Sequence, residues 1–416
     1  MTITFGERTM KTKILVALAL LMCLSAAAQQ RKYPGCVRYE KSFLVFPGDR
    51  SAQDAFYAKL DSLIAGIGGD VNVWQVGGSH IQAAYFPNRI MQKLDSIAPR
   101  GDRGFLFPRR LADTNSDTTY VITSTGMWEA PMLTRNSRLV KPRYGITGFG
   151  ARTRDPKASV SFNIDPHGDS LWHFNRLRVL GYASSERAYP VVICGADTLY
   201  HSPDTLTESY VFDLPVHTDS VTVDLVIPQG ESFVLNGLQP LSGRTGVHFF
   251  ASGVNGAKVP SWVDQCADLE RDLQLVKPDL AIFGLGINDS ACKASEFRPE
   301  KFKNNYRRLI AMIRRVSPDC AFIFVTNNDS YRYVRGGMTY NMNAPAVRKA
   351  MMELAEEFGA GVWDLFGVMG GTNTVLSWRD AGLVKQDKLH FTDVGYKMLG
   401  DMFFDAMMTD WKNTKE

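Results

Sequence analysis

Residues 71–79 read Val-Asn-Val-Trp-Gln-Val-Gly-Gly-Ser, and a stretch with a mostly helical pattern follows from Ile81 to Ile97. The apolar run predicts a short buried strand, and the two glycines predict a tight turn that ends in Ser79. Pro87 is expected to interrupt the helix or to begin a second one. A hydroxyl at the carboxyl end of a strand, beside a helix N-terminus, lies where α/β enzymes usually do their chemistry. Taken alone, however, Gly-Gly-Ser before a helix is more often only a helix cap.

Strands and helices alternate again from about residue 243 onward. Continuous apolar runs at 280–285 and 321–325 predict strands that are covered on both faces. Apolar residues recur at helical spacing between these two runs. Thr392 is expected to cap a last helix that runs through Met407. The alternation predicts an α/β fold with three α/β/α layers and a mainly parallel sheet.

The middle of the chain has a different texture. Short alternating stretches such as 158–164, 189–194 and 220–227 are separated by turn residues and lack helical periodicity. This pattern is typical of an antiparallel β-sandwich inserted into the α/β domain. We therefore divide the chain into a first part of the α/β domain, an inserted β-sandwich and a second part of the α/β domain. Their predicted bounds are 29–125, 126–242 and 243–416.

Composition places the chain among ordinary globular proteins. It has 416 residues, of which 45% are hydrophobic and 22% charged, and this length is comfortable for two domains. The formal net charge of +4 is small for the length, and the sequence contains no DNA- or RNA-binding motif. Nucleic acid is therefore not an expected partner.

The N-terminus resembles a secretory signal peptide. Lys11 and Lys13 precede an apolar run over 14–24, and small residues lead to an expected cleavage site after about Ala28. The run is too short for a permanent transmembrane helix. Cys23 raises the alternative of a lipoprotein, but the residues before it lack the small side chain that lipidation needs. Residues 1–28 are thus predicted to be removed, leaving an exported protein, periplasmic or secreted, without a transmembrane segment.

Metal ligation and disulfide bonding find little support in the sequence. The cysteines after the predicted cleavage site match no zinc or redox spacing, and their odd number cannot all pair internally. They are Cys36, Cys194, Cys266, Cys292 and Cys320. Most are expected to be buried small apolar residues, although one disulfide is possible in an oxidising compartment. Five histidines outside the candidate site also lack metal-ligand spacing, namely His167, His173, His201, His217 and His248. We expect neither a metal nor a cofactor.

Three further segments strengthen the interpretation of Ser79 as a catalytic residue. Residues 253–257 form a tight loop in which Gly256 can bring a bare backbone N–H close to a ligand. Asn288 follows a predicted buried strand, so its side chain is expected at the same sheet edge as Ser79. Asp387 precedes His390 by three residues, which lets the carboxylate orient the imidazole while the other ring nitrogen faces the serine.

These four segments, in this order, resemble conserved blocks I, II, III and V of the SGNH (GDSL-like) serine hydrolase superfamily. The resemblance covers roughly residues 66–410 and implies a flavodoxin-like three-layer domain. It implies that Ser79 is the nucleophile, that His390 is the general base and then acid, and that Asp387 orients His390. It further implies an oxyanion hole made of the Ser79 and Gly256 backbone N–H groups and the Asn288 side chain.

Within this superfamily the chain is most similar to bacterial peptidoglycan O-acetylesterases. Those enzymes also carry a sandwich that resembles a carbohydrate-binding jelly roll between blocks I and II. The resemblance implies a serine esterase that removes O-acetyl groups from a polysaccharide, with peptidoglycan as the first candidate. A polysaccharide O-acetyltransferase would use the same triad. Gly78 departs from the usual Gly-Asp-Ser of block I, and this keeps open a catalytically dead glycan-binding protein.

Two other groups of residues have mainly structural interpretations. His80, next to the proposed nucleophile, is expected to be a first-turn helix residue, with substrate contact as the alternative. Six arginines outside the four segments are expected on solvated faces and not in an anion site. These arginines are Arg109, Arg110, Arg307, Arg308, Arg314 and Arg315.

Overall fold

A computed structural model of the chain describes residues 33–135, 138–168, 172–204 and 208–415. The predicted signal peptide and Cys23 therefore lie outside the described residues. Within the described ranges, no helix combines the length and the apolar character needed to cross a membrane. The five cysteines after the predicted cleavage site are all free thiols.

The strands and helices fall into the three regions that the sequence pattern distinguishes. The strands are β1 Leu44–Val45, β2 Val71–Gly77, β3 Val121–Thr125, β4 Ala151–Thr153, β5 Ser159–Asn163, β6 Phe174–Ala183, β7 Tyr189–Cys194, β8 Asp197–Leu199, β9 Ser202–Asp204, β10 Ser209–Thr218, β11 Ser220–Val226, β12 Phe233–Leu241, β13 Val247–Gly253, β14 Leu280–Gly284, β15 Ala321–Val325, β16 Tyr331–Val334, β17 Gly337–Tyr340 and β18 Gly361–Trp363. The α-helices are α1 Ser51–Ile64, α2 Ser79–Gln82, α3 Tyr85–Leu94, α4 Val259–Gln265, α5 Leu269–Val276, α6 Pro299–Val316, α7 Ala344–Phe358, α8 Leu365–Met369, α9 Val375–Asp380 and α10 Asp393–Asn413.

A six-stranded mixed sheet with the order β1-β18-β15-β14-β2-β13 forms the centre of the α/β part. All its neighbouring strands are parallel except β1, which pairs antiparallel with β18. The mainly parallel sheet agrees with the continuous apolar runs, because strands buried on both faces do not need alternation.

Helices cover both faces of this sheet. Along β14, Leu280 and Ile282 join one hydrophobic cluster, whereas Ala281 and Phe283 join the other. The first cluster contains residues of α1, α3 and α10, and the second contains residues of α4 to α7. Since successive side chains of a strand point to opposite faces, the two clusters are the two sides of a three-layer arrangement.

Two five-stranded antiparallel sheets lie in the chain between β2 and β13. Their orders are β4-β12-β6-β10-β9 and β3-β5-β11-β7-β8. Apolar residues from both sheets share one hydrophobic cluster, as expected when two sheets pack face to face. Strand β3 lies at 121–125, just before the predicted insertion limit of 126. That this segment is a separate jelly-roll domain stays a prediction.

The first of these sheets also contacts the α/β part. Every residue of β12 from Phe233 to Pro240 is buried, and Ala151 and Leu180 belong to the same cluster as helices α4 to α7. The sheet is therefore covered on both faces, on one side by its partner sheet and on the other by the α/β core.

Candidate active site

Three glycines at the carboxyl ends of neighbouring strands make room for the helix that carries Ser79. Gly77 of β2 is in register with Gly253 of β13 and Gly284 of β14. A Cβ atom on Gly77 would collide with Ile81, and one on Gly253 would collide with the backbone of Gln82. Helix α2 thus lies directly on the sheet edge, where only glycine allows so close an approach.

The structure brings Ser79, His390 and Asp387 into one hydrogen-bonded chain. The Nε2 atom of His390 lies 2.8 Å from the Ser79 Oγ atom, and its Nδ1 atom lies 2.7 Å from the Asp387 Oδ2 atom. Ser79 begins α2, more than three hundred residues before His390, so the sheet edge joins segments that are far apart in sequence. The geometry allows His390 to take a proton from the serine hydroxyl while Asp387 holds the opposite ring nitrogen.

The loop that carries the histidine, residues 384–391 (the histidine loop), is shaped locally. Lys388 has a positive φ of 54°, and this turn brings the backbone N–H groups of Leu389 and His390 to the Asp387 Oδ1 atom, each at 3.0 Å. Burial of the Asp387 carboxyl opposes ionisation. The hydrogen bonds from the His390 ring and from the two backbone N–H groups outweigh it and lower the pKa of Asp387 to about 2. The carboxylate therefore stays charged beside the imidazole.

Residues 253–257 and 285–289, here called the amide side, contribute to the same cleft as the histidine loop. The Asn288 Nδ2 atom donates to the carbonyl oxygen of Ala257 at 3.0 Å. A primary amide has two N–H donors, so one remains for a ligand. Gly256 has a positive φ of 79°, which supports its prediction as a residue that needs glycine. Gly256, Asn288 and Ser79 line the same cleft.

Gln82 connects the amide side to the loop around Asn115. Its side chain is fully buried. The Gln82 Oε1 atom accepts the Asn255 N–H at 2.7 Å, and its Nε2 atom donates to Thr114 Oγ1 and Asn115 Oδ1 at 2.7 and 2.8 Å. Asn255 directly precedes Gly256, so Gln82 fixes the loop that presents the Gly256 N–H. No role of Gln82 was predicted from the sequence. A polar side chain on a buried helix face is the feature that could have indicated such a role.

Asp289 is a second acidic residue near the site. Its carboxylate accepts the backbone N–H of Val259, with distances of 3.2 and 3.3 Å to the two oxygens. Desolvation outweighs this hydrogen bond and the charge of Lys258, and it raises the pKa of Asp289 to about 7. The hydrogen bond between Asp289 and the Val259 N–H connects the start of α4 to the amide side.

All the residues that the sequence predicted for catalysis or the oxyanion hole are brought together, and all but Asp387 directly line one cleft of about 610 Å³. Polar side chains from Asn115, Ser116 and Asn255 form part of its wall, and Tyr333 and Lys385 lie among the other lining residues. A cleft of this volume is large enough for a ligand of several rings.

Comparison with known proteins supports the interpretation of this cleft. Residues 219–398 match the family model described as GDSL-like Lipase/Acylhydrolase family. This match spans less than half of the chain, and that part resembles GDSL-like acylhydrolases. Together with the hydrogen-bonded Ser79, His390 and Asp387, it identifies the chain as a carboxylic ester hydrolase. The matched range contains Gly256, Asn288, Asp387 and His390, whereas Ser79 lies before it, so the position of the serine rests on the geometry described above.

A solved structure shares the fold of the chain over most of its length. A structure titled "Peptidoglycan O-acetylesterase in action, 5 min" matches with a TM-score of 0.70 at 19% identity, covering 89% of this chain and 99% of the other. A crystal structure of an acetyl xylan esterase matches with a TM-score of 0.31 at 17% identity, covering 38% of this chain and 81% of the other. No curated protein sequence matches the chain.

His80 has a structural position in the acylhydrolase. Its Nδ1 atom lies 2.8 Å from the Tyr396 hydroxyl, and its ring centre lies 5.6 Å from that of His390. Desolvation and the neighbouring His390 lower the pKa of His80 to about 3, so the ring stays neutral. His80 is absent from the residues that line the cleft. The preferred expectation of a structural role therefore fits its contacts.

The expectation of a solvated face is wrong for Arg109. This side chain is buried, with 9% exposure, and its Nη1 atom donates to the Gln82 carbonyl oxygen at 2.6 Å. The physical reason is that α2 ends at Gln82 and leaves a carbonyl group without a helical partner, which a buried guanidinium can satisfy. Arg307 and Arg315 instead form ion pairs with Glu357 and Glu270 on the outer side of α6.

A β-hairpin beside the cleft was not predicted from the sequence. Strands β16 and β17 pair antiparallel, from Tyr331 opposite Tyr340 to Val334 opposite Gly337. Residues 331–340 nevertheless carry a recognisable hairpin signal, because Tyr-Arg-Tyr-Val precedes Arg-Gly-Gly. The hairpin brings Tyr333 into the wall of the cleft.

Proposed function

We propose that this acylhydrolase is an exported serine esterase that removes O-acetyl groups from a polysaccharide, with peptidoglycan as the first candidate polymer. The observation that carries the proposal is the hydrogen-bonded chain from Ser79 through His390 to Asp387 at the cleft. The fold shared with a peptidoglycan O-acetylesterase and the predicted signal peptide both favour an acetylated glycan outside the cytoplasm.

The proposed mechanism has two steps. Ser79 Oγ attacks the ester carbonyl carbon as His390 Nε2 takes its proton, and the sugar alcohol leaves with that proton. Water then attacks the acyl-enzyme, gives a proton to His390 and releases acetate as Ser79 recovers its hydrogen. The Ser79 and Gly256 N–H groups and the free N–H of Asn288 are assigned to the oxyanion that forms in each step.

Gly78 was the reason to consider a catalytically dead glycan-binding protein. A Cβ atom at this position would lie 2.9 Å from the Asn288 Nδ2 atom and 3.5 Å from the Ala257 carbonyl oxygen. The Asn288 amide occupies the space that a side chain would need. Gly78 thus leaves room for an amide that is assigned to the oxyanion hole, and this favours an active enzyme.

The first test is hydrolysis of ethyl acetate by the purified chain lacking residues 1–28, followed as acid release. We expect turnover that falls by several orders of magnitude in Ser79→Ala and in His390→Ala. Ser377→Ala, which alters an exposed serine of α9, is the matched control and should keep full activity. Equal rates in the wild type and Ser79→Ala would reject the serine esterase.

The natural polymer is tested by acetate release from O-acetylated peptidoglycan and from acetylated xylan. We expect release from peptidoglycan to be faster and to depend on Ser79. Faster release from xylan would move the substrate proposal to plant glycans. Acetyl transfer to an added oligosaccharide at the expense of free acetate would identify an O-acetyltransferase instead.

A further inference from the structure

The hairpin of β16 and β17, here called the aromatic arm (residues 331–340), is fixed at its base to the histidine loop. The Tyr331 N–H donates to the Lys388 carbonyl oxygen at 2.9 Å, and the Lys388 ammonium lies 4.6 Å from the centre of the Tyr331 ring. Lys388 stands two residues before His390. The base of the arm therefore has a defined position relative to the catalytic histidine.

A second anchor holds the returning strand of the arm. The Tyr340 hydroxyl donates to Asp329 Oδ1 at 2.5 Å, and Asp329 Oδ2 accepts the backbone N–H groups of Thr374 and Val375 at 2.8 and 2.9 Å. Asp329 is fully buried. The arm is thus attached at both ends to the body of the protein, and its outer end projects beside the cleft.

Tyr333 is the aromatic residue that this arm presents to the cleft. Its side chain is 63% exposed, although the same residue lines the cleft with Ser79 and His390. Tyr331 lies two residues earlier on the same face of the strand and packs against Lys388. An exposed tyrosine ring on a fixed support, next to a reacting centre, provides a flat apolar surface with a polar end.

Other residues in the wall of the cleft complement this surface. Asn115 and Asn255 contribute side-chain amides, which are donors and acceptors suited to sugar hydroxyls. An acetyl group has only two carbon atoms, so it fills a small part of a cleft of about 610 Å³. The remaining space, which an aromatic ring and polar side chains line, is available to the alcohol portion of the ester.

We propose that the aromatic arm is a sugar-binding subsite, in which the Tyr333 ring packs against the C–H face of a pyranose ring of the acetylated polysaccharide. This inference rests on the proposed esterase function and names the part of the substrate that the cleft recognises. Tyr333 acts on binding of the glycan and takes no part in the acyl transfer itself.

The test compares a polymer with an ester that has no ring. Tyr333→Ala should raise the KM for O-acetylated polysaccharide about tenfold and leave kcat/KM for ethyl acetate within about twofold of the wild type. Tyr333→Phe keeps the ring and should stay close to the wild type on both substrates. Tyr200→Ala removes a tyrosine that is 70% exposed and lies outside the lining of the cleft, so it is the matched control.

The proposal is overturned if Tyr333→Ala and Tyr200→Ala give the same KM on the polymer. It is also overturned if Tyr333→Ala loses activity equally on ethyl acetate, because the arm would then only support the histidine loop. O-acetylated peptidoglycan and acetylated xylan serve as the two polymer probes and show whether the subsite prefers one of them.

A binding measurement separates this proposal from the esterase itself. In the Ser79→Ala background, retardation during electrophoresis through a gel containing each polymer reports binding without turnover. We expect the retardation to decrease when Tyr333→Ala is added and to persist with Tyr200→Ala. A wild type that binds through Tyr333 but hydrolyses no ester would reject the esterase and keep the subsite, whereas unchanged retardation would reject the subsite.

Discussion

The two sides of the cleft are held in place in different ways. In the histidine loop the carboxylate and the imidazole are held by local bonds, with Asp387 bonded to His390 and the Lys385 N–H donating to the His390 carbonyl oxygen at 2.7 Å, although the Tyr331 N–H also bonds the loop at Lys388. The amide side instead depends on partners far away in sequence, such as Gln82 for Asn255. A substitution in the histidine loop should therefore change the chemistry, whereas one on the amide side should also change the positions of its neighbours.

The largest effect within this comparison is expected for Asp387→Asn. The new amide can still accept the backbone N–H groups of the loop through its oxygen. Its nitrogen would donate to His390 Nδ1, which leaves the proton on Nε2, where it faces Ser79 and blocks proton transfer. We expect kcat on ethyl acetate to fall by about 10⁴, the scale that this change has in serine proteases.

A thermal melt of Asp387→Asn tests whether the loss is chemical. Because local bonds hold Asp387 and His390, we expect the variant to melt like the wild type at pH 7. A variant that is both inactive and largely unfolded would show that the carboxylate is needed for the whole fold and not only for the geometry of the histidine loop.

On the amide side, Asn288→Ala should reduce kcat on ethyl acetate by about 100-fold, because one proposed oxyanion donor is removed. The same change deletes the hydrogen bond to the Ala257 carbonyl oxygen, so the Gly256 loop should also loosen. Asn304→Ala, at an exposed position of α6, provides the control. Amide hydrogen exchange that rises at residues 253–257 would support the dependence on distant partners, and unchanged exchange would contradict it.

A smaller effect is expected for Gly78→Ala. The added methyl group would lie 2.9 Å from the Asn288 Nδ2 atom, which must move by a few tenths of an ångström. Since this amide is held by Ala257, the shift moves a proposed oxyanion donor away from its position. We expect kcat to fall about tenfold with little change in KM. Full activity in this variant would mean that the amide side adapts more easily than its contacts suggest.

Sequence reasoning succeeded where a feature is set by neighbouring residues. The histidine loop is contained in a few consecutive residues, and the Thr392 cap of α10 is a local contact in which Thr392 Oγ1 accepts the Gly395 N–H at 3.1 Å. Helix α7 likewise begins one residue before Pro345, in the first helical turn, where proline is favoured. In each case the structure needs only the local order of side chains.

Features that depend on distant pairing were missed. The register of Gly77 with Gly253 and Gly284 is a property of the assembled sheet. The burial of Arg109 follows from the end of α2 lying above it, which no local pattern shows. The aromatic arm had a local hairpin signal, but its place beside the cleft comes from contacts with Lys388. The fold class and the candidate triad were therefore accessible from sequence, whereas the walls of the cleft were not.

The smallest expected effects are on stability, and the pH dependence of stability has opposite signs on the two sides of the cleft. On the histidine side, the pKa of His80 is lowered from 6.5 to about 3. Below pH 6.5 the His80 imidazole binds a proton in the unfolded chain but stays neutral in the native protein. The native protein therefore loses stability as the pH falls from 6.5 towards 3. On the amide side, the pKa of Asp289 is raised from 3.8 to about 7, so the native protein binds its proton more readily than the unfolded chain. Stability is then lost as the pH rises from about 4 to 7.

Melting temperatures measured from pH 4.5 to 8 in the wild type, His80→Gln and Asp289→Asn test these opposite signs. Relative to the wild type, His80→Gln should gain stability as the pH falls, because the unfolded chain no longer has this proton to bind. Asp289→Asn should gain relative stability as the pH rises, because a neutral amide replaces a carboxyl group whose ionisation is unfavourable in the native protein. Differences that stay constant with pH would show that neither group is shielded from water, and the two sides of the cleft would then not differ in this respect.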